Sequence, residues 1–232
     1  MPNTLANNNA ARDAILGRVR KAVGGTGDRA AVRADAQAYL AAHRQGPRPR
    51  MPDDLVGRFI KRATDMESTI ARIDDESAIP SAVARYIDAL ELPPELAAQK
   101  SHSGVCWPAF AALDWSGAGL TIEARPTAGN DLLGITGCFC AIAETGTLVV
   151  LPGPDAPTAT TLLPATHVAV LRADRIVSGM EESFELIRRE RGKLPRAINH
   201  ISGPSRTGDI EQTVVVGAHG PYRVHILVLG GS

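Results

Sequence analysis

The chain has 232 residues, 44% hydrophobic and 22% charged, with 25 lysines plus arginines against 25 aspartates plus glutamates. A net charge of zero and only 4% aromatic residues exclude the dense basic face and stacking platforms of nucleic-acid or membrane-surface binding. No run reaches the roughly 18 apolar residues of a membrane span, and Cys106, Cys138 and Cys140 are too few for a disulfide framework, which predicts a reducing cytoplasm.

The first ten residues are polar and Asn-rich, with no hydrophobic signal core. Arg12, Arg18, Arg20 and Lys21 share a helical pattern with organelle transit peptides, but Asp13 favours a folded surface helix. Ile15, Leu16, Val19 and Val23 form its apolar stripe, and Gly24-Gly25-Thr26-Gly27 ends it. Residues 31–43 are Ala-rich and weakly amphipathic. Residues 45–52, rich in Pro, Arg and Gly, read as an extended connector, because proline restricts itself and the residue before it. Residues 1–50 are therefore expected to be a helical arm and linker, free or packed on another subunit of a homo-oligomer. The main domain is expected to span 51–232.

Val56, Ile60 and Ala63 suit a helix, and residues 66–73 suit a strand. Residues 80–90 predict a helix with Val83, Ile87 and Leu90 on one face, stopped by Pro93-Pro94. Short β-like runs follow at 104–107, 120–124, 147–151, 167–171, 197–202 and 224–229. Met180, Phe184 and Ile187 pattern a further helix, and a shorter one is expected to start near Asp209. Strands alternating with helices predict an α/β fold: three layers, an open, mostly parallel sheet, and an N-terminal helical extension. No fixed-period repeat is present, and neither Gly-x-Gly-x-x-Gly nor Gly-Lys-Ser/Thr occurs, so no dinucleotide or P-loop fingerprint accompanies that fold.

Three loop segments could carry chemistry, since loops at strand ends of an open sheet are where ligands sit. In the first, Gly134-Ile135-Thr136-Gly137 leads through a short apolar helix or coil to Ala143-Glu144-Thr145-Gly146-Thr147. Glu144, beside Thr145 and Thr147, could be a nucleophile or general base; alternatively it accepts backbone N–H bonds at a tight turn. Gly146 would let the backbone approach a ligand. In the second, Asp209 with Gln212 three residues on has the form of an N-cap box. That places Ser205, Arg206 and Thr207 just ahead of a helix N-terminus, the composition of an anion pocket. The alternative is a capped turn with Arg206 paired to Glu144, Asp209 or Glu211. In the third, His219 stands in Gly217-Ala218-His219-Gly220-Pro221. It is either a hydrogen-bonded structural residue or an acid/base or carboxylate-binding group.

Metal binding is not expected. Cys138-Phe139-Cys140 lacks a second pair at zinc or iron–sulfur spacing, and the histidines form no His-x-x-x-His pair. Arg85, Lys61 and the 188–191 arginine run read as solvated faces.

Taken in order, Ala-Glu-Thr-Gly-Thr at 143–147, Ser-Gly-Pro-Ser-Arg-Thr-Gly-Asp-Ile-Glu at 202–211 and Gly-Ala-His-Gly-Pro at 217–221 resemble the LUD-domain family, in its lactate utilization protein C group. Leu163-Pro164 and His167 fit the same layout. Gly208 stands where alanine is common and Ala218 where valine is common. The resemblance covers the C-terminal half well and the helical N-terminal part loosely. It implies a fold like that of the sugar-phosphate isomerase and CoA-transferase superfamily. It also implies a cytoplasmic role in oxidising L-lactate to pyruvate beside partner subunits that carry iron–sulfur clusters. This chain would be the cluster-free component and bind no cofactor itself. A small carboxylate or phosphate would meet Ser205, Arg206 and His219, with Glu144 in proton transfer. CoA-transferase relatives form an acyl intermediate on a glutamate in a Glu-Asn-Gly context. Glu144-Thr145-Gly146 resembles that element with threonine for the amide, so a stand-alone acyl- or CoA-handling enzyme is a second reading. A non-catalytic assembly module for the iron–sulfur partners is a third.

Overall fold

The computed structural model describes residues 4–24, 28–210 and 213–230, with 4–8, 208–210 and 213–214 as backbone only. Contacts divide the chain into Met1–Arg48 and Pro49–Ser232. The first unit holds two helices, α1 (Thr4–Val23) and α2 (Arg29–Ala41). Asp28 caps α2, its carboxylate accepting from the Ala30 N–H at 2.9 Å. Arg20 and Lys21 in the last turn of α1 oppose the negative end of the helix dipole.

The second unit runs α3 (Leu55–Asp65), β1 (Thr69–Ile73), α4 (Ile79–Asp88), β2 (Ser103–Cys106), β3 (Thr121–Ala124), β4 (Leu133–Gly137), β5 (Cys140–Ile142), β6 (Thr147–Val150), α5 (Ala159–Leu162), β7 (Thr166–Arg172), β8 (Ile176–Val177), α6 (Met180–Arg191), β9 (Asn199–Ile201), β10 (Arg206–Ile210), β11 (Thr213–Val216) and β12 (Arg223–Leu229). Six strands form the main sheet in the order β1-β12-β7-β4-β2-β3, and every adjacent pair is parallel. This is the α/β architecture with a mostly parallel sheet that the alternation of elements predicts.

The central strands β12, β7 and β4 are buried at consecutive positions on both faces, whereas the edge strands β1 and β3 are mostly exposed or half-buried. Along β7 and β12, Val168, Val170 and Leu227 face the α4 side with Ile79, Val83 and Ile87. Ala169, Leu171, Val224, Ile226 and Val228 face the other side with Phe59 and Ala63 of α3. Each such Leu, Ile or Phe contributes about 1.5–3 kcal/mol by leaving water, far more than the surface ion pair Lys61–Asp65 on α3.

Two strands foreseen at 147–151 and 197–202 do not join the parallel sheet. They become β6 and β9 of a second sheet, ordered β8-β5-β6-β9, in which β6 pairs antiparallel with β5 and β9. One face of this small sheet (Ala141, Leu148) packs with α3 on the large sheet. Its other face (Cys140, Ile142, Val149) packs on Leu186 and Ile187 of α6. α6 is well specified: Glu181 and Glu182 stand in its first turn, Arg188, Arg189 and Arg191 in its last, and Gly192 closes it in the left-handed region.

Three expectations are overturned. Gly134-Ile135-Thr136-Gly137 is not a loop but lies in β4, between β2 and β7, where Gly134 leaves room for Thr160 and Pro164. The segment after Gly137 is not a helix or coil but β5, a strand of the second sheet. No helix starts near Asp209: Arg206–Ile210 and Thr213–Val216 pair antiparallel as β10 and β11, with Thr207 opposite Val215 and Ile210 opposite Thr213. Thr213 and the three valines after it are β-branched, and their χ1 restriction favours a strand over a helix more strongly than the Asp209/Gln212 cap pattern favours the reverse. Gln212 itself lies outside the described residues. Among the described residues no helix is long and apolar enough to cross a membrane.

Candidate functional site

Residues 143–146 turn β5 into β6. The Gly146 N–H donates to the Ile142 carbonyl at 2.9 Å, and the Glu144 N–H donates to Ser178 at 3.0 Å, just before α6. Glu144 therefore bonds at this turn through its backbone, while its side chain is half-buried. Gly146 has φ +72°, and a Cβ there would stand 2.5 Å from the Arg62 carbonyl carbon and 2.8 Å from Ala63 Cα. The close approach that this glycine permits is thus to the backbone of α3.

Thr145, Thr147 and Ser202 form a hydroxyl chain. Thr147 Oγ1 is 2.7 Å from Thr145 Oγ1 and 2.7 Å from Ser202 Oγ. Three hydroxyls joined by these two bonds leave one of their three hydrogens free to donate elsewhere. Thr147 itself is buried. Thr147→Val keeps its shape and removes the middle link, while both partners can turn to solvent. The expected cost is about 1 kcal/mol in a urea unfolding experiment.

Ser205 and His219 do meet. The Ser205 N–H donates to Pro221 at 2.9 Å, the Gly217 N–H donates to Ser205 O at 2.8 Å, and the His219 N–H donates to Ser205 Oγ at 3.3 Å. Arg206 is paired with Glu67, which follows α3 at φ +64°, a partner absent from the sequence-based alternatives. Thr207 lies in β10. The side chains of Asp209 and Glu211 lie outside the described residues. With β10 in place of a helix, no helix N-terminus stands behind Ser205, Arg206 and Thr207 among the described residues. No hydrogen bond joins Glu144 to Arg206 or His219 among the described residues, and these three side chains line none of five cavities in the fold.

The cysteines are thiols in packing roles. Burial pushes Cys106 up to about 11, Cys140 up to about 12 and Cys138 higher still, so the thiolate a metal requires is disfavoured. Cys138 Sγ points at the Val170 carbonyl, 3.6 Å away. Among the described residues no group of three or more His, Cys, Asp or Glu side chains has a metal-holding arrangement.

The fold marks a place the motifs do not. From β2 the chain steps outward to β3, whereas from β4 it steps the opposite way through β7 to β12. The seam between β2 and β4 is therefore the topological switch point, whose carboxyl ends open a crevice in open α/β sheets. Trp107 follows β2, and Cys138-Phe139 follow β4. Two adjoining cavities of about 440 and 320 Å³ lie there, both lined by Trp107, Leu151, Ala156 and Arg191. Arg175 donates to Glu190 at 2.6 and 3.0 Å and to the Phe139 carbonyl at 3.0 Å. Arg191, expected on a solvated helix face, is exposed, and its guanidinium carbon lies 5.8 Å from the Phe139 ring centre. The available signal was the cation density of residues 188–196, and only the strand order could give that run a destination.

A wholly parallel central sheet, a small second sheet under α6 and a crevice at the switch point define an open α/β protein. A model of the LUD domain matches residues 108–229, a span that holds all three motifs, and the chain belongs to that family. A lactate utilization protein C of Deinococcus radiodurans is 31% identical over 194 residues, 80% of this chain and 89% of that protein. One of Bacillus subtilis (strain 168) is 38% identical over 100 residues, 41% of this chain and 42% of that protein, so the alignment spans less than half of the Bacillus relative. A crystal structure of a DUF162 family protein from Deinococcus radiodurans shares the fold, with a TM-score of 0.53 at 23% identity over 78% of this chain and 100% of that one.

Proposed function

We propose that this protein is the cluster-free component of a cytoplasmic system that oxidises L-lactate to pyruvate, holding a small carboxylate where Ser205 meets His219. The observation that carries this reading is the alignment with the Deinococcus radiodurans lactate utilization protein C over 80% of this chain and 89% of that one. Converting lactate to pyruvate releases two electrons and two protons. In this reading the electrons pass to iron–sulfur clusters on partner subunits, while Glu144 and His219 handle protons. Thr145, Thr147 and Ser202 supply a hydroxyl chain at the turn that carries Glu144. The Arg206–Glu67 pair has side chains 36% and 64% exposed, and such pairs are worth about 0–1 kcal/mol. An incoming carboxylate could therefore replace Glu67 at little cost.

Complementation of a deletion strain on L-lactate tests the role. Wild type is expected to restore growth, and Arg206→Ala or His219→Ala to lower lactate-dependent oxygen uptake about tenfold, the loss of roughly one charged contact. Full growth with Glu144→Gln removes that carboxylate from the chemistry. Affinity capture from lactate-grown cells should recover iron–sulfur subunits, and their absence contradicts the assembly.

A further inference from the structure

The switch-point crevice exceeds what a three-carbon acid needs, and its charge departs from that of the whole chain. Residues 188–196 read Arg-Arg-Glu-Arg-Gly-Lys-Leu-Pro-Arg, five cations against one carboxylate in a chain of zero net charge. Arg191 and Lys193 from this run line the larger cavity. Glu190, its one carboxylate, is engaged by Arg175 in a bidentate pair. Among the described residues neither Arg191 nor Lys193 lies within ion-pair distance of an acid. Asp155 is the acid on the opposite wall.

The remaining wall is apolar and rigid. Leu151, Pro152, Pro154 and Pro195 line the larger cavity. Trp107 stands between the two cavities, its indole N–H donating to the Pro157 carbonyl at 3.3 Å. Cavities of about 440 and 320 Å³ that share a boundary fall in the range of about 300–1,000 Å³ that encloses ligands far larger than lactate. Prolines, leucine and tryptophan suit a flat or apolar body, not a polyol. Two cations lining one cavity, neither in an ion pair among the described residues, suit a phosphate's charge and its several acceptor oxygens.

We propose that this crevice binds an organic phosphate of mononucleotide size, with its phosphate on Arg191 and Lys193 and its ring system against Trp107, Leu151 and Pro154. The site is separate from the Ser205–His219 corner and does not depend on the lactate reading.

Calorimetric titration of the full chain with AMP, GMP and FMN tests it. At least one should bind, and the matching nucleoside or riboflavin, lacking the phosphate, should bind at least about tenfold more weakly. Arg191→Ala/Lys193→Ala should weaken the nucleotide at least about tenfold, with an unchanged melting temperature because both side chains are exposed. L-lactate should not displace the nucleotide. The proposal is overturned if none of the three binds, if the double variant binds as wild type does, or if inorganic phosphate competes as well as the nucleotide. Displacement by L-lactate would overturn the separation of the two sites. Growth on lactate reads the other proposal: lost growth with intact nucleotide binding, or the converse, tells the two apart.

Discussion

Gly146→Ala is expected to destabilise the protein by about 2–5 kcal/mol, the sum of left-handed backbone strain and forced overpacking. The position has φ +72°, and an added Cβ would stand 2.5 Å from the Arg62 carbonyl carbon and 2.8 Å from Ala63 Cα, atoms of a helix backbone that cannot swing aside. Gly192→Ala separates the two causes. Gly192 has φ +73° but nothing within 4 Å of the added carbon, so it should cost only the strain, about 1–2 kcal/mol. Urea unfolding of both variants at equal m-value gives the comparison. Equal losses would mean that α3 shifts to accept the methyl group and that the turn is less constrained than its geometry indicates. The same displacement would move Thr147 from Ser202 and Glu67 from Arg206, because the hydroxyl chain and the ion pair both bridge this turn, the 202–206 segment and the end of α3. A loss of lactate-dependent activity in Gly146→Ala is thus read only after its stability is known.

β7 and β12 of the large sheet were legible because both are buried on both faces and rich in β-branched residues, a pattern that needs no knowledge of neighbours, whereas the two glycines of β4 made that central strand read as a loop. Partnership within the small sheet was not. The pairing of Leu148 with Ile201 depends on where distant segments return, which periodicity does not encode. The strand pair β10 and β11 was misread because Asp209 and Gln212 imitate a cap, while the evidence against a helix lay just downstream, in three consecutive valines. Ser205 and His219 were singled out in sequence, and their contact follows from Gly217 and Pro221 bonding back to Ser205. Arg206 was singled out too, but its partner Glu67 sits far upstream in sequence, after α3. Spacing alone placed the 188–191 arginines on a solvated face, where Arg189 and Arg191 do stand exposed, but only the reversal of strand order between β2 and β4 sets Arg191 over a crevice.

Acid is expected to unfold this protein through two histidines. His167 is fully buried. Its Nε2 lies 2.8 Å from Thr136 Oγ1, and that hydroxyl donates to the Gly137 carbonyl at 3.0 Å, so Nε2 carries the hydrogen and donates to Thr136. Nδ1 is left buried without a partner. His225 is also buried, stacked on Tyr86 with ring centres 3.9 Å apart, and its Nδ1 lies 2.8 Å from Thr69 Oγ1. Burial pushes both imidazoles down to about 4. A lowered histidine stays neutral in the fold while the unfolded chain takes up its proton near pH 6.5, so between about pH 6.5 and 4 the unfolded state binds more protons and stability falls as pH falls. Each group contributes at most about 1.4 kcal/mol per pH unit, and the pair at most about 2.7. Across that window the loss approaches the roughly 5–15 kcal/mol of a typical domain. Carboxylates do not mimic it. Arg125 holds Asp131 below its ordinary range, and stability from such a group is lost as pH falls below about 4, through its folded value. His167→Gln keeps a donor for Thr136 and removes one titration. Urea midpoints at pH 4.5, 5.5 and 6.5 should then show a slope about half that of wild type. An unchanged slope would mean that His167 is not a neutral buried group.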